Sequence, residues 1–287
     1  MASLRDIRTR IASVKNTKQI TSAMKMVSAA KLRRATEAAT SARPYQQTLT
    51  GTLQRVAGAA GDDVEHPLLT SREVVKKVLI VVVTSDRGLC GGFNSTLNRR
   101  TEDFIRKQRQ EGREIVLRTY GRKARDFFKA RGFGTEFAKT DLNKNTFADE
   151  AAALAEALTT DFSAGVFDEA YIAFNHFKST LTQIPTISRI LPLSIEKGAS
   201  TGGADYVYEP SGQQLLGALL PMYLRTLLLQ AFLETDAGEQ AARMTAMDNA
   251  TRNATDLIAA LTLEYNRGRQ AAITKELIEI VSGAEAL

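Results

Sequence analysis

No proline interrupts the chain before Pro44 and no glycine before Gly51. A stretch of that length without either breaker, rich in Ala, Lys, Arg and Met, is built to be helical. Within it Leu4, Ile7, Ile11 and Val14 are spaced 3, 4, 3, and Ile20, Met24 and Val27 continue at 4, 3. That is the spacing of a coiled-coil seam. It predicts one helix from about Ser3 into the forties or fifties, with Pro44 kinking it or lying near its break.

The far end of the chain has the same character. From Ser211 to about Ala284 the pattern is helical, interrupted by Pro221 and single glycines. A continuous helix of that length would span about 110 Å at the usual rise, more than a compact domain accommodates. Near its end Ile273, Leu277, Ile280 and Ala284 step 4, 3, 4. Two such helices at opposite ends of one chain can pair antiparallel into a rod. The expected fold class is α/β plus a long antiparallel coiled coil, with a Rossmann-like α/β domain inserted between the terminal helices.

The region between them supplies that domain. "KVLIVVVTS" reads as a buried strand, "EIVLRTYG" as a second, and "EAYIAFNHF" and "TQIPTISRILPL" as two more. Helical stretches separate the earlier ones, with Asn94 as a candidate cap for the first and a capping-box-like Thr146 to Asp149 opening another. Alternation of this kind predicts a mostly parallel sheet covered by helices. The expected boundaries are 1–57 for the N-terminal helix, 58–74 for a linker loop, 75–205 for the α/β domain and 211–287 for the C-terminal helix.

Composition removes several classes of function. No apolar run is expected to reach the ~20 residues of a membrane-spanning helix. The N-terminus is basic and amphipathic, as a transit peptide is, but the same pattern runs past residue 34 without a break, which favours structure. One cysteine, Cys90, excludes an intramolecular disulfide framework, and with two distant histidines, His66 and His176, it makes a zinc site improbable. Net charge is +6, and residues 1–43 alone carry +8, from ten cations against Asp6 and Glu37. A helix charged in this way suits an acidic partner.

The one stretch that invites a catalytic reading is "VVVTSDRGLCGGFN" at 81–94. A strand followed by glycines suggests a phosphate loop, but Gly88, Gly91 and Gly92 give G-x-x-G-G rather than G-x-G-x-x-G. No Walker pattern occurs, and no acidic residue ends the second strand where a ribose carboxylate would sit. The plain alternative is a tight strand-to-helix turn. Cys90 as a nucleophile would need a base, and His176 is the candidate; a lone internal cysteine is more often a small buried apolar group. No catalytic residues, metal site or cofactor are expected. Two rivals remain. A nucleic-acid-binding coiled coil would want aromatic or Asn/Arg base readers, yet residues 1–43 lack any aromatic but carry cations all round. A Rossmann-like enzyme is weakened by the glycine spacing.

The terminal motifs also carry a resemblance. "IRTRIASVKNTKQITSAMKMVSAAKLRRA" at 7–35 resembles the N-terminal helix of the γ subunit of F-type ATP synthases, and "AITKELIEIVSGAEA" at 272–286 resembles its C-terminal signature. "SDRGLCGGFN" and "DYVYEP" are similar to internal stretches of that family. The departures are Pro221 inside the last helix and the absence of the chloroplast form's cysteine pair, so thiol regulation of that kind is not expected. The resemblance implies a central rotor shaft coupling proton flow through a c-ring to ATP synthesis or hydrolysis on β subunits. It implies partners in three α and three β subunits, ε and the c-ring, and no nucleic acid. It implies a peripheral place at the cytoplasmic face of a bacterial plasma membrane, with the mitochondrial matrix face as the alternative. By the same resemblance Arg269 and Gln270 form a catch to a β-subunit loop, and Met24 and Lys25 lie in the neck facing β. Ile273, Leu277, Ile280 and Ala284 form a tip in an apolar sleeve. Tyr206, Tyr208 and Glu209 fall in the foot near the c-ring and ε. From pattern alone, Arg269 and Gln270 would be a solvated face, Met24 seam core and the tyrosines a strand end.

Overall fold

The computed structural model describes residues 3–59, 66–194 and 211–285. Ten elements follow one another: α1 (Leu4–Ala59), β1 (Lys77–Val83), α2 (Phe93–Gln110), β2 (Glu114–Tyr120), α3 (Arg122–Ala130), β3 (Phe137–Lys139), α4 (Phe147–Ser163), β4 (Glu169–Phe177), β5 (Gln183–Leu191) and α5 (Gly212–Glu285). Long terminal helices with a mixed sheet between them are therefore the architecture. Both long helices run through a proline, Pro44 in α1 and Pro221 in α5. The chain divides into two compact units, Met1–Ala29 with Arg243–Leu287, and Ala30–Ala242. Each terminal helix contributes to both.

The larger unit is organised by β1. Its residues Val78 to Val83 are all at most 2% exposed, as expected of a strand covered on both faces. Successive side chains alternate between faces. Leu79, Val81 and Val83 join one cluster, with α4 and parts of α1 and α5; Val78, Ile80 and Val82 join a second, with Leu97 and Ile105 of α2 and Ala124 and Phe128 of α3. The strand order is β3-β2-β1-β4-β5. β1, β2, β3 and β4 pair parallel, and β5 returns antiparallel to β4. β3 was not expected; its three residues are all exposed and carry no buried alternation to read.

Three expectations fail on local chemistry. α2 begins after Gly92, not Asn94, whose side chain is buried and turns back to the β1–α2 loop. Thr146 does not cap α4; its hydroxyl donates to the Asn143 carbonyl at 2.9 Å. And α5 does contain an apolar window of 18 residues, long enough by composition to cross a membrane. Within α5, Leu216, Leu220, Leu224, Leu228 and Phe232 are at most 1% exposed because they fill the first cluster.

Asp168, just before β4, ties the start of β4 to the segment that leads into β1. Its Oδ2 accepts the amides of Lys76 and Lys77 at 2.7 and 2.8 Å, and its Oδ1 takes Arg72 Nη1 at 2.7 Å. Burial would raise its pKa, but the amides of Lys77 and Lys76 and the guanidinium outweigh it and hold the carboxyl below its usual range. A depressed pKa means the stabilisation is present near neutral pH and is lost as pH falls through the folded-state value. We expect Asp168→Ala to cost about 3 kcal/mol, the scale for breaking a largely buried charge pair. Chemical denaturation at neutral and acid pH checks this: the gap between variant and wild type should shrink in acid.

Candidate functional site

Two places could carry function: the β1–α2 loop, where sheets of this kind bind ligands, and the helix pair of the smaller unit. The loop is occupied by the chain itself. Asn94 Oδ1 accepts the Ser85 amide at 3.1 Å and its Nδ2 donates to Ser85 Oγ at 2.7 Å. The first amides of α3, the helix that follows β2 beside this loop, are also taken. Arg122 N–H donates to Asp86 Oδ1 at 2.7 Å, and Ala124 N–H to Thr84 Oγ1 at 2.8 Å. Gly121, with φ of 103°, lies against the Thr84 carbonyl, where a Cβ would collide. Asn175 Nδ2 closes the β4 side by donating to the Phe93 carbonyl at 3.1 Å.

Cys90 is 2% exposed and receives Asn94 Nδ2 at 3.3 Å. His176 is engaged elsewhere: its Nδ1 lies 2.6 Å from Glu234 Oε2, which also accepts the Phe177 amide. That carboxylate, on α5, is 5% exposed, so the pair reads as a strut between β4 and α5. His66 Nδ1 accepts the Leu68 amide at 3.2 Å, and burial lowers its pKa.

In the smaller unit, α1 and α5 pair along a seam that differs from the expected one after Val14. Ile20 and Val27 are 60% and 55% exposed, and so is Met26 at 65%. The inward positions are instead Lys18, Thr21, Lys25 and Ser28, which keep the 4, 3 spacing strictly. A sequence reading drawn to hydrophobicity leaves the register there, because the seam turns polar. α5 explains why it is tolerated: Thr251 Oγ1 donates to Thr21 Oγ1 at 2.8 Å, and Lys25 Nζ reaches Asp248 Oδ1 at 2.6 Å. Arg252 pairs with the other oxygen of Asp248 at 2.8 Å. The hydrogen bond from Lys25, helped by Arg252, holds the Asp248 carboxyl below its usual pKa. Met24 is half-buried beside this cluster.

On α5 the seam runs through Met247, Thr251, Ala254, Ile258, Leu261, Tyr265, Gly268 and Ala272. A Cβ on Gly268 would lie 3.1 Å from Leu4 Cδ2, so the start of α1 packs there. Ile273, Leu277 and Ile280 are not seam residues, contrary to the expected pairing; they are 49%, 57% and 68% exposed, and Ile278 and Val281 are exposed beside them. Arg269 and Gln270 are exposed just before this stretch. The side chain of Ala284, and Tyr206, Tyr208 and Glu209, lie outside the described residues. Asp248, Arg252, Thr21 and Thr251 were missed; following the strict heptad past Val14 would have found Thr21.

The family model described as ATP synthase matches residues 3–287. The ATP synthase gamma chain of Hyphomonas neptunium is 48% identical over 294 residues, covering 100% of both chains. The chain belongs to the ATP synthase gamma chain family. A second relative, the ATP synthase gamma chain of Pelotomaculum thermopropionicum, is 48% identical over 288 residues, again covering 100% of each. A chain in the central stalk and c-ring structure of Tetrahymena thermophila mitochondrial ATP synthase superposes with a TM-score of 0.61 at 26% identity, covering 80% of this chain and 99% of that one. A chain from the Euglena gracilis mitochondrial enzyme shares the fold, with a TM-score of 0.67 at 21% identity over 99% of this chain and 94% of that one.

The register is testable. Leu261 is 5% exposed and Leu263 73%. We expect Leu261→Ala to destabilise the helix pair by about 2–5 kcal/mol, the range for a buried leucine, while Leu263→Ala stays near wild type. Thermal melts of both variants decide it.

Proposed function

We propose that this chain is the central rotor shaft of an F-type ATP synthase. In this reading the smaller unit sits inside a ring of three α and three β subunits. The larger unit, with ε, forms the foot on a c-ring. Proton flow turns ring and shaft together, and the turning shaft drives the β catalytic sites through different affinities. The complex is membrane-bound, with the chain peripheral at the cytoplasmic face of a bacterial plasma membrane. ATP chemistry belongs to β, and this chain has no catalytic site or cofactor of its own. The observation that carries the reading is the full-length match to gamma chains at 48% identity. The filled β1–α2 crevice agrees with it, since a nucleotide would have to displace Asp86 and Asn94 from amides they already hold.

The physical requirement for such coupling is differential contact. A ligand or partner shifts an equilibrium only by as much as it favours one state over the other. A two-helix surface is not three-fold symmetric, so it presents different residues to each of three equivalent sites. The exposed Ile20, Met26 and Val27, with Met24 and Lys25 nearby, would face β at the neck. Ile273, Leu277, Ile280 and Ala284 would turn in an apolar sleeve. Tyr206, Tyr208 and Glu209 would serve the foot, near the c-ring and ε.

Arg269 and Gln270 would form the catch. Arginine's planar fork and fixed charge suit a carboxylate held bidentately. Such a contact, made at one rotor angle and broken at others, acts on rate rather than on folding. We expect Arg269→Ala with Gln270→Ala to assemble normally and slow ATP turnover about tenfold, equivalent to ~1.4 kcal/mol on a barrier. Arg267→Ala, exposed on the same helix, is the comparison. ATP synthesis and hydrolysis per assembled complex are the measurement; equal rates for the double variant and wild type would remove these two residues from the role.

A further inference from the structure

The larger unit is electrically lopsided. Residues 93–131, which hold α2, β2 and α3, contain twelve cations against five acids, a net +7. Residues 132–168, which hold β3 and α4, contain two against seven, a net −5. α2 and α3 pack on one face of the sheet and α4 on the other, so the two charges lie on opposite layers.

The positive layer is organised as a surface. Arg99, Arg100, Arg106 and Lys107 are exposed on α2, and Lys123 and Lys129 on α3. The two helices are held side by side: Asn98 Nδ2 donates to the Lys123 carbonyl at 3.1 Å, and Arg131 reaches Glu102 at 3.0 Å. Most of the acids are already engaged. Glu102 also takes Arg106, Glu111 takes Arg113 and Asp126 takes Arg125. Asp103 remains exposed within the face. The excess positive charge therefore points outward.

We propose that this outer face of α2 and α3 docks anionic phospholipid headgroups. The proposal rests on the reading that the chain works in a membrane-bound complex, which puts a phosphate-bearing surface close by. Among the described residues of α2 and α3 no large apolar side chain is exposed. That speaks against a protein partner, which would need a buried anchor, and against insertion into the bilayer. Nucleic acid is disfavoured too, because arginines already cover the partly buried rings here: Arg131 lies 3.5 Å from the Phe127 ring centre and Arg109 4.9 Å from that of Phe133. No ring is left for a base to stack on. Cations spread over two adjacent helices suit headgroup phosphates, which need only charge at short range. Each Lys or Arg near an anionic bilayer raises affinity about fivefold, and the effect fades beyond about 8 Å at physiological salt.

The test uses the purified full-length chain and sedimentation with vesicles, either pure phosphatidylcholine or mixtures with rising phosphatidylglycerol. Binding should appear only with the anionic lipid and weaken as salt rises. The basic part of α1 is the competing source, so two variants are compared, each checked for native helix content. Arg99→Ala with Arg100→Ala, Lys107→Ala and Lys129→Ala should lose about 100-fold or more in affinity, from the per-cation factor above. Arg8→Ala with Arg10→Ala and Lys15→Ala should stay within about tenfold of wild type. Absent or lipid-indifferent binding, loss with the α1 variant instead, or a preference for duplex DNA over anionic vesicles would each overturn the proposal. Assembly of the same wild-type preparation with α and β subunits is measured in parallel. A chain that assembles but ignores lipid refutes the docking face and leaves the rotor reading standing.

Discussion

Between Leu215 and Leu233, α5 carries more apolar surface than water tolerates, and the larger unit is arranged around covering it. Leu216, Leu220, Leu224, Leu228 and Phe232 cluster with Leu49, Leu53 and Val56 of α1, with Leu154 and Leu158 of α4 and with alternate residues of β1. Burying a leucine is worth about 1.5–3 kcal/mol, so this cluster outweighs any single ion pair in the unit. It also accounts for the asymmetry of the sheet. One face receives the long helices and α4, and the other receives the short α2 and α3, whose outer sides are left to water and charge.

The polar middle of the helix pair follows a different logic. A seam of leucines would hold the helices more tightly, but it would not prefer one register over another. Polar seam positions are the best-attested device for fixing register. Thr21 against Thr251 and Lys25 against Asp248 each find a partner at one register, and a slip by a heptad would leave an ammonium or a carboxylate facing an apolar neighbour. Exposed pairs add little stability; here their contribution is alignment.

Much of the fold was legible in the sequence because its signals are local. β1 is an unbroken β-branched run, β2 and β4 fall where their patterns place them, and the length of the terminal helices follows from missing breakers. What was not legible depended on partners distant in the chain. The seam leaves the apolar residues after Val14 because Asp248 and Thr251, more than two hundred residues on, make polar positions acceptable. α4 starts without the cap its sequence offers because Thr146 bonds backward to Asn143. The closure of the β1–α2 crevice was visible only as wrong glycine spacing; the groups that fill it, Asp86, Asn94 and Asn175, come from three separate segments. For the candidate site, the apolar character of Ile273, Leu277 and Ile280 was readable, but not their lack of a helix partner.

That lack bears on the chain's life before it meets any other subunit. α1 begins opposite Gly268, so beyond Ala272 the last turns of α5 have, among the described residues of the smaller unit, no neighbour to share their apolar side chains. A newly made chain thus presents an adhesive end, with Ile273, Leu277, Ile278, Ile280 and Val281 all uncovered. Until something encloses that end, its apolar side chains remain free to stick to any other exposed apolar surface, a second copy of the same chain included.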